Sequence, residues 1–247
     1  PKVLHAVAGR SLLGHALAAV SKAGADAVAV VISSERPEVG EAARKQLPHV
    51  QIAIQHARLG TAHAALAAKA AIAAGHDDVI IAFGDTPLVR PETFAALRRG
   101  LREGAAVVAL GFEAKDPTGY GRFVEKDGHL EAIVEHKDAT PEQRAITLCN
   151  AGLMALSGEH ALSILEAIGS HNAQGEFYLT DAVEVARKRG LDAIALRAPE
   201  SEVQGVNDRV QLAAVEADFQ RRKRLAVMLG GATLTAPETV FFSYDTQ

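Results

Sequence analysis

Apolar residues along the chain fall into short solid runs separated by longer stretches where they recur every three or four positions. The runs at 27–32, 50–54, 78–83 and 105–110 are bounded by polar residues or glycine, and their length predicts buried strands. Between them the spacing is helical. Leu12, Leu13, Ala16, Leu17 and Val20 share a face, with Ser11 placed as an N-cap. Residues 61–74 are alanine-rich and favour helix. Residues 91–102 open on Pro91, where a missing N–H costs nothing. Strand and helix in alternation predict an α/β fold with a parallel sheet covered on both faces. Ligands in such folds bind beyond the carboxyl ends of the strands, so chemistry is sought just after residues 32, 54, 83 and 110.

The pattern changes near residue 112. Runs at 121–125 and 130–134 bracket Lys126-Asp127-Gly128, and Asp-Gly between alternating runs predicts a hairpin. Residues 112–155 therefore read as an antiparallel insertion beside the main sheet. Helices are expected again at 157–168 and 180–189, a strand at 192–196, and a long helix at 208–229, roughly 33 Å at the usual rise. Gly230-Gly231 suits a left-handed helix end, and the tail from Thr233 reads as extended.

Composition narrows the class. With 247 residues, 48% of them apolar, the chain can bury a large single core or a core with a smaller appendage. The net charge of −4 and the lack of a large basic block argue against a nucleic-acid partner. The one basic run, Arg221-Arg222-Lys223-Arg224, lies in a helical pattern with Glu216 and Asp218 and reads as a solvated face. The single cysteine, Cys149, excludes an intrachain disulfide and a cysteine zinc site, and suits a reducing cytoplasm. No stretch reaches the roughly 20 apolar residues of a membrane span, and Pro1-Lys2-Val3-Leu4-His5 lacks a signal-peptide core.

Several segments at predicted strand ends could carry chemistry. Gly84-Asp85-Thr86-Pro87 puts a carboxylate at the sheet edge, either as a ligand for a hard cation or as a turn capping the next helix. Gln55 to Thr61 ends a strand and opens a helix; Thr61 is either an N-cap or, with Gly60, part of an anion or base site. Asp116-Pro117-Thr118-Gly119-Tyr120-Gly121-Arg122 is a rigid turn, or one that lets a sugar approach the main chain. Glu135-His136-Lys137-Asp138 is a solvated strand end or a set of acceptors for sugar hydroxyls. Asn207 is a metal ligand or the N-cap of the long helix. No Walker-type loop and no Gly-x-Ser-x-Gly elbow is present, and Cys149 reads as a buried filler.

Taken in order, these segments resemble one family. Pro1-Lys2-Val3-Leu4-His5, Leu59-Gly60-Thr61, Gly84-Asp85-Thr86-Pro87, Asp116 to Arg122, Glu135-His136-Lys137-Asp138, Asn172-Ala173-Gln174-Gly175-Glu176, Tyr178-Leu179-Thr180-Asp181 and Gly205-Val206-Asn207 follow the pattern of the N-terminal uridylyltransferase domain of the bacterial bifunctional enzymes that make UDP-N-acetylglucosamine. The resemblance covers essentially the whole chain. It implies a Rossmann-like, GT-A-like nucleotidyltransferase fold, a mixed and mainly parallel sheet flanked by helices with an antiparallel insertion. It implies a nucleotidyltransferase domain over 1–229, with 230–247 starting a linker towards a β-helix domain. It also implies a cytoplasmic enzyme of cell-wall and lipopolysaccharide precursor synthesis. Its partners would be UTP, N-acetylglucosamine 1-phosphate, UDP-N-acetylglucosamine and pyrophosphate, with no membrane partner.

The resemblance implies residue roles too. Lys2 corresponds to the lysine at the reacting phosphates. Asp85 and Asn207 correspond to the protein ligands of a catalytic Mg²⁺. Gln55, Gly60 and Thr61 correspond to the uracil segment, and Gly121, Glu135, Asn150, Tyr178 and Thr180 to the N-acetylglucosamine pocket. Three departures qualify it. A Gly-x-Gly-Thr-Arg-Met loop preceded by a central strand is expected just before Pro1, so a longer chain is expected, and its loss would expose two strand edges. Ala151 stands where relatives often have threonine. The family's acetyltransferase β-helix, to which homo-oligomer contacts belong, is expected to begin near Tyr244. A related sugar 1-phosphate nucleotidyltransferase, or a fragment that only binds sugar nucleotides, are the competing expectations.

Overall fold

In a computed structural model, which describes residues 1–246, the apolar pattern resolves into ten strands and ten α-helices among the described residues. A small ribbon of β1 (Ala6–Val7) and β2 (Arg10–Ser11) leads into α1 (Leu12–Lys22). Ser11 caps α1 as expected, its hydroxyl accepting from the Gly14 N–H at 3.0 Å. Next come β3 (Ala29–Ser33), α2 (Pro37–Gln46) and β4 (Gln51–Gln55), with β3 and β4 paired in parallel. They are followed by α3 (Thr61–Ala67), α4 (Lys69–Ile72), β5 (Asp78–Ile81), α5 (Pro91–Arg102) and β6 (Val107–Glu113). The remainder is β7 (Arg122–Lys126), β8 (His129–Val134), α6 (Pro141–Arg144), β9 (Leu148–Ser157), α7 (Gly158–Glu166), α8 (Asp181–Lys188), β10 (Ala193–Arg197), α9 (Glu200–Val203) and α10 (Arg209–Leu229).

The main sheet is mixed and six-stranded, in the order β10-β6-β9-β7-β8 with β5 also on β9. Strands β5, β6 and β10 share a direction, and β9 runs against them. The β7–β8 hairpin forms as the sequence predicts, with Asp127 and Gly128 at φ of 52° and 84°, the positive pair a type I′ turn needs. The position of the insertion differs from the sequence expectation in one respect. Its last strand, β9, threads between β5 and β6 instead of lying beside the sheet. The reason is length and apolarity. β9 has 10 residues, so its start can pair with β7 (Cys149 with Arg122) and its end with β5 (Met154 with Ile81), while β6 lies along its other edge.

Alternate residues of β6 bury on opposite faces. Val107 and Ala109 join Met154, Leu156, Leu165 and Val183, whereas Val108 and Leu110 join Leu97, Leu153 and Ala155. Helices thus cover both faces, and runs such as 105–110 are solidly apolar because neither side meets water. A third cluster of Leu13, Leu17, Ile32, Val39, Ala43 and Val50 joins α1 and α2 to the β3–β4 pair. Strand β3 pairs only with β4, and β5 only with β9, so each leaves one edge open among the described residues. The helix predicted over 61–74 is broken at Ala68, which leaves helical geometry at φ −93°, ψ 23°. The break lets both α3 and α4 follow the surface of α7. No helix of the described residues is long and apolar enough to cross a membrane.

Of the basic run, Arg221 stays solvated beside Asp218 as expected, whereas the next three cations do not. Arg222 donates to the carbonyls of Leu88 and Ser201, Lys223 to that of Thr246, and Arg224 to that of Val240. A cation on a helix is solvated only where no main chain crosses it, and here the returning tail crosses Lys223 and Arg224 while residues 88 and 201 meet Arg222. Gln220, 2% exposed, matches both backbone groups of Phe242 at 2.8 Å. Tyr244 then lies against His15 and Phe219, with the Arg10 guanidinium 3.5 Å from its ring centre. Its N–H donates to the Ala8 carbonyl at 2.9 Å. Gln220→Ala should cost about 1–3 kcal/mol, the range for stranding buried polar partners. Urea unfolding reads that loss, and limited proteolysis should then cut the tail beyond Val240.

Candidate functional site

The loop after β5 carries Asp85. Its carbonyl accepts from the Val206 N–H at 3.1 Å, which ties the strand end to the segment entering α10. Beneath the junction, Val7, Leu12, Leu88, Val206 and Val215 form one buried cluster. Asn207 is thereby set beside Asp85. It is not the cap of α10: Asp208 is, its side chain accepting from the Gln211 N–H at 2.8 Å. The Asn207 side chain is left to face the site.

Lys2 completes the group. Its Nζ donates to Asp85 Oδ2 at 2.5 Å and to Asn207 Oδ1 at 2.8 Å. The Asp85 side chain is 22% exposed and Lys2 40%, so the pair is open to a ligand yet partly shielded. One carboxylate oxygen and one amide oxygen thus converge on a single cationic atom. Such hard oxygens suit a divalent ion that takes its other ligands from waters and phosphates. No cluster of three or more His, Cys, Asp or Glu able to hold a metal occurs among the described residues. The donor pair therefore fits an ion shared with a substrate better than one caged by protein.

A second group forms where α3 begins. Gly60 has φ +116°, and a Cβ there would stand 2.4 Å from the Phe177 carbonyl oxygen. Only glycine allows this approach. It places the Leu59 carbonyl 2.8 Å from the Phe177 N–H and the Ala62 N–H 2.9 Å from the Phe177 carbonyl. Thr61 is not the helix cap, which is Gly60; its hydroxyl accepts from the Leu179 N–H at 2.8 Å. Gln55 leans over the same turn, its Nε2 3.0 Å from His63 Nδ1 and 3.4 Å from the Gly60 carbonyl.

The third group lines the other side of the 177–180 segment. Thr180 Oγ1 donates to Glu135 Oε1 at 3.2 Å. Gly121 lies against Glu135 and Asn150, and its carbonyl accepts from the Asn150 N–H at 2.8 Å. Tyr178 Oη accepts from Gln174 Nε2 at 2.8 Å. Gln174 also accepts from Lys137, and Asp138 accepts from the Ala173 N–H, so the 135–138 and 172–176 segments clasp each other. Gly152, at φ +85°, leaves room for the Phe83 ring, which a Cβ would meet at 2.3 Å. That contact fastens the strand end before Asp85 to the strand bearing Asn150.

All eleven residues singled out in the sequence fall into these three groups. No side-chain hydrogen bond among the described residues joins the Lys2 group to the other two. A separate cavity of about 490 Å³ between α1, α10 and residues 87–91 contains none of them. Sequence reading missed Phe177, whose backbone carries the 177–180 segment, because a main-chain partner leaves no side-chain signature.

Carboxylates crowd this wall. Burial, then the nearby Asp138 charge, pushes the Glu135 carboxyl up, and the Thr180 hydroxyl opposes them. Asp181 is pushed up to about 6 by burial and by Glu184, Glu135 and Asp138. A folded-state value above the unfolded one means that the native state binds the extra proton. Its ionisation therefore costs stability as pH rises from the unfolded value towards 6. Asp181→Asn should raise the melting temperature at pH 7 and above. The gain should fade as pH falls towards 4, as thermal scans across that range will show.

Residues 1–174 match the MobA-like NTP transferase domain model. The chain is 61% identical over 246 residues to "Bifunctional protein GlmU" of Xanthobacter autotrophicus, covering 100% of this chain and 55% of that protein. It is 56% identical over 247 residues to the protein of the same name from Azorhizobium caulinodans, again covering 100% and 55%. The chain thus spans about half the length of the curated relatives it matches. Among solved structures, apo UDP-glucose pyrophosphorylase superposes with a TM-score of 0.68 at 17% identity, covering 90% of this chain and 91% of that one. The complex of UDP-glucose pyrophosphorylase with UDP-glucose gives 0.65 at 18% identity, with the same coverage. These two likenesses establish a nucleotidyltransferase fold, and the family match, over well more than half of the residues, shows that the chain belongs to the MobA-like NTP transferase domain family.

Proposed function

We propose that the chain transfers UMP from UTP to N-acetylglucosamine 1-phosphate, yielding UDP-N-acetylglucosamine and pyrophosphate. The observation that carries this reading is the convergence of Asp85 and Asn207 on one cation, the Lys2 ammonium. The identity to the GlmU proteins over the whole chain supports it, as does the family order of the motifs.

The chemistry asks little of the protein beyond placement. An oxygen of the sugar phosphate would attack the α-phosphorus of UTP while the bond to the pyrophosphate oxygen breaks on the opposite side. A phosphate monoester has its second pKa near ~6 and is mostly dianionic at neutral pH. No general base is needed, which suits a Lys2 group that contains no histidine. The obstacle is repulsion between anions, and the Lys2 ammonium would offset it. Asp85 and Asn207 would hold Mg²⁺, which when bound draws charge from the phosphate oxygens. Gln55, Gly60 and Thr61 would take the uracil. Gly121, Glu135, Asn150, Tyr178 and Thr180 would take the sugar, whose hydroxyls can donate to the Glu135 carboxylate. We also assign the reaction to the cytoplasm, as a step supplying cell-wall precursors.

Pyrophosphate release across a panel of nucleotides and sugar 1-phosphates tests the substrate assignment. UTP with N-acetylglucosamine 1-phosphate should be preferred, and preference for another pair would overturn it. UDP-N-acetylglucosamine binding without turnover would instead favour a binding-only domain.

The metal assignment is tested by three substitutions. Asp85→Ala should cut Mg²⁺-dependent turnover by at least about a hundredfold, since charge stabilisation by an ion is worth several kcal/mol. Near-normal turnover in that variant would remove Asp85 from the metal site. Asn207→Ala should lower turnover with an unchanged melting temperature. Asp208→Ala should instead cost about 1 kcal/mol of stability as the lost cap.

A further inference from the structure

Arg122 is 1% exposed, yet no carboxylate lies within ion-pair distance of it among the described residues. Burying a guanidinium without a counter-ion is costly, so its neutral partners matter. Nη1 donates to the Tyr120 carbonyl. Nη2 lies 3.3 Å from His136 Nδ1, and Nε has no partner among the described residues. The His136 carbonyl is in turn held by Arg144 Nε at 3.2 Å.

The two partners have a common feature. Tyr120 immediately precedes Gly121, and His136 immediately follows Glu135. A Cβ at Gly121 would stand 3.4 Å from Glu135 Oε1 on the pocket side, where Glu135 also accepts from Thr180. Arg122 opens β7 opposite Cys149 of β9 and shares its face, whereas the next residue of β9, Asn150, points to the other face. The guanidinium therefore sits behind the pocket, between the loop that ends at Gly121 and the turn that begins at Glu135. We propose that Arg122 is a positioning residue that clamps these two walls together from behind and so sets the fit of the pocket to the sugar of a sugar nucleotide. The inference rests on the assignment of Gly121 and Glu135 to a sugar site. A planar fork reaches two acceptors at once, and a lysine ammonium at the same place cannot match that geometry. Recognition of the nucleotide, on the far side of the 177–180 segment, does not pass through the clamp.

Calorimetric titration of the chain with UDP and with UDP-N-acetylglucosamine, in the presence of Mg²⁺, tests this. The wild-type chain should bind the sugar nucleotide more tightly than UDP. Arg122→Met should weaken UDP-N-acetylglucosamine about tenfold, the scale on which loss of the support behind a ligand-holding residue acts. UDP affinity should stay unchanged, and Arg122→Lys should not restore the loss. His136→Leu alters the clamp at a half-buried position, and so carries the test if Arg122→Met does not fold. It should reproduce the selective loss, while His136→Asn, which keeps an acceptor, should retain most of the sugar's contribution. A folded Arg122→Met or His136→Leu chain with the wild-type ratio of the two affinities would overturn the clamp. Equal weakening of both ligands would overturn it too, as a general structural effect. A wild-type chain that binds UDP but gains nothing from the sugar would overturn the underlying assignment of the pocket, and the clamp with it.

Discussion

Two oxygens separated by nearly half the chain, Asp85 Oδ2 and Asn207 Oδ1, meet at the ammonium of Lys2. An aspartate and an amide oxygen do not approach unaided, because each gives up water to do so. A cation between them offsets that cost, and the backbone holds the two near each other beforehand. The hydrogen bond from the Val206 N–H to the Asp85 carbonyl does this, above the cluster of Val7, Leu12, Leu88, Val206 and Val215. The rest of the molecule can be read as support for that junction. Helix α10 starts there on Asp208, its middle is strapped by the tail through Gln220 and Phe242, and Tyr244 returns to the ribbon that follows Lys2.

The 177–180 segment is the second organising element. One of its edges is bonded to the start of α3 through Phe177 and Leu179, and Thr180 reaches Glu135 on the other. A base-binding turn and a sugar-binding wall built on one rigid segment would keep a fixed separation. That is what a ligand with a nucleoside at one end and a sugar at the other requires. The wall is also a concentration of negative charge: besides burial, Asp138 raises the Glu135 carboxyl, and Glu184, Glu135 and Asp138 raise that of Asp181. Sugar hydroxyls are donors and would suit such a wall, and under the proposed function the phosphates would lie beside Lys2, across the Phe83–Gly152 contact.

Much of the fold was legible in the sequence because its elements answer to local rules. Ser11 and Pro91 mark helix starts, Asp127-Gly128 marks the hairpin, and the solid run at 105–110 marks a strand covered on both faces. Where local rules gave two answers, longer-range contacts chose. Thr61 and Asn207 both sit where a cap would, yet Gly60 and Asp208 occupy the cap positions, and the two side chains turn to Leu179 and Lys2. The basic run 221–224 looked like a solvated face because nothing in its neighbours shows that residues 240–246 return across it.

The sequence by itself determined the order of strands and helices and the residue types that end each strand, since periodicity and turn chemistry act over a few residues. Only the tertiary structure decided that β9 lies between β5 and β6, that Arg122 is buried without a counter-ion among the described residues, and that Lys2 stands between Asp85 and Asn207. Each of these depends on which distant segments share space, and that is settled by the packing of the whole core.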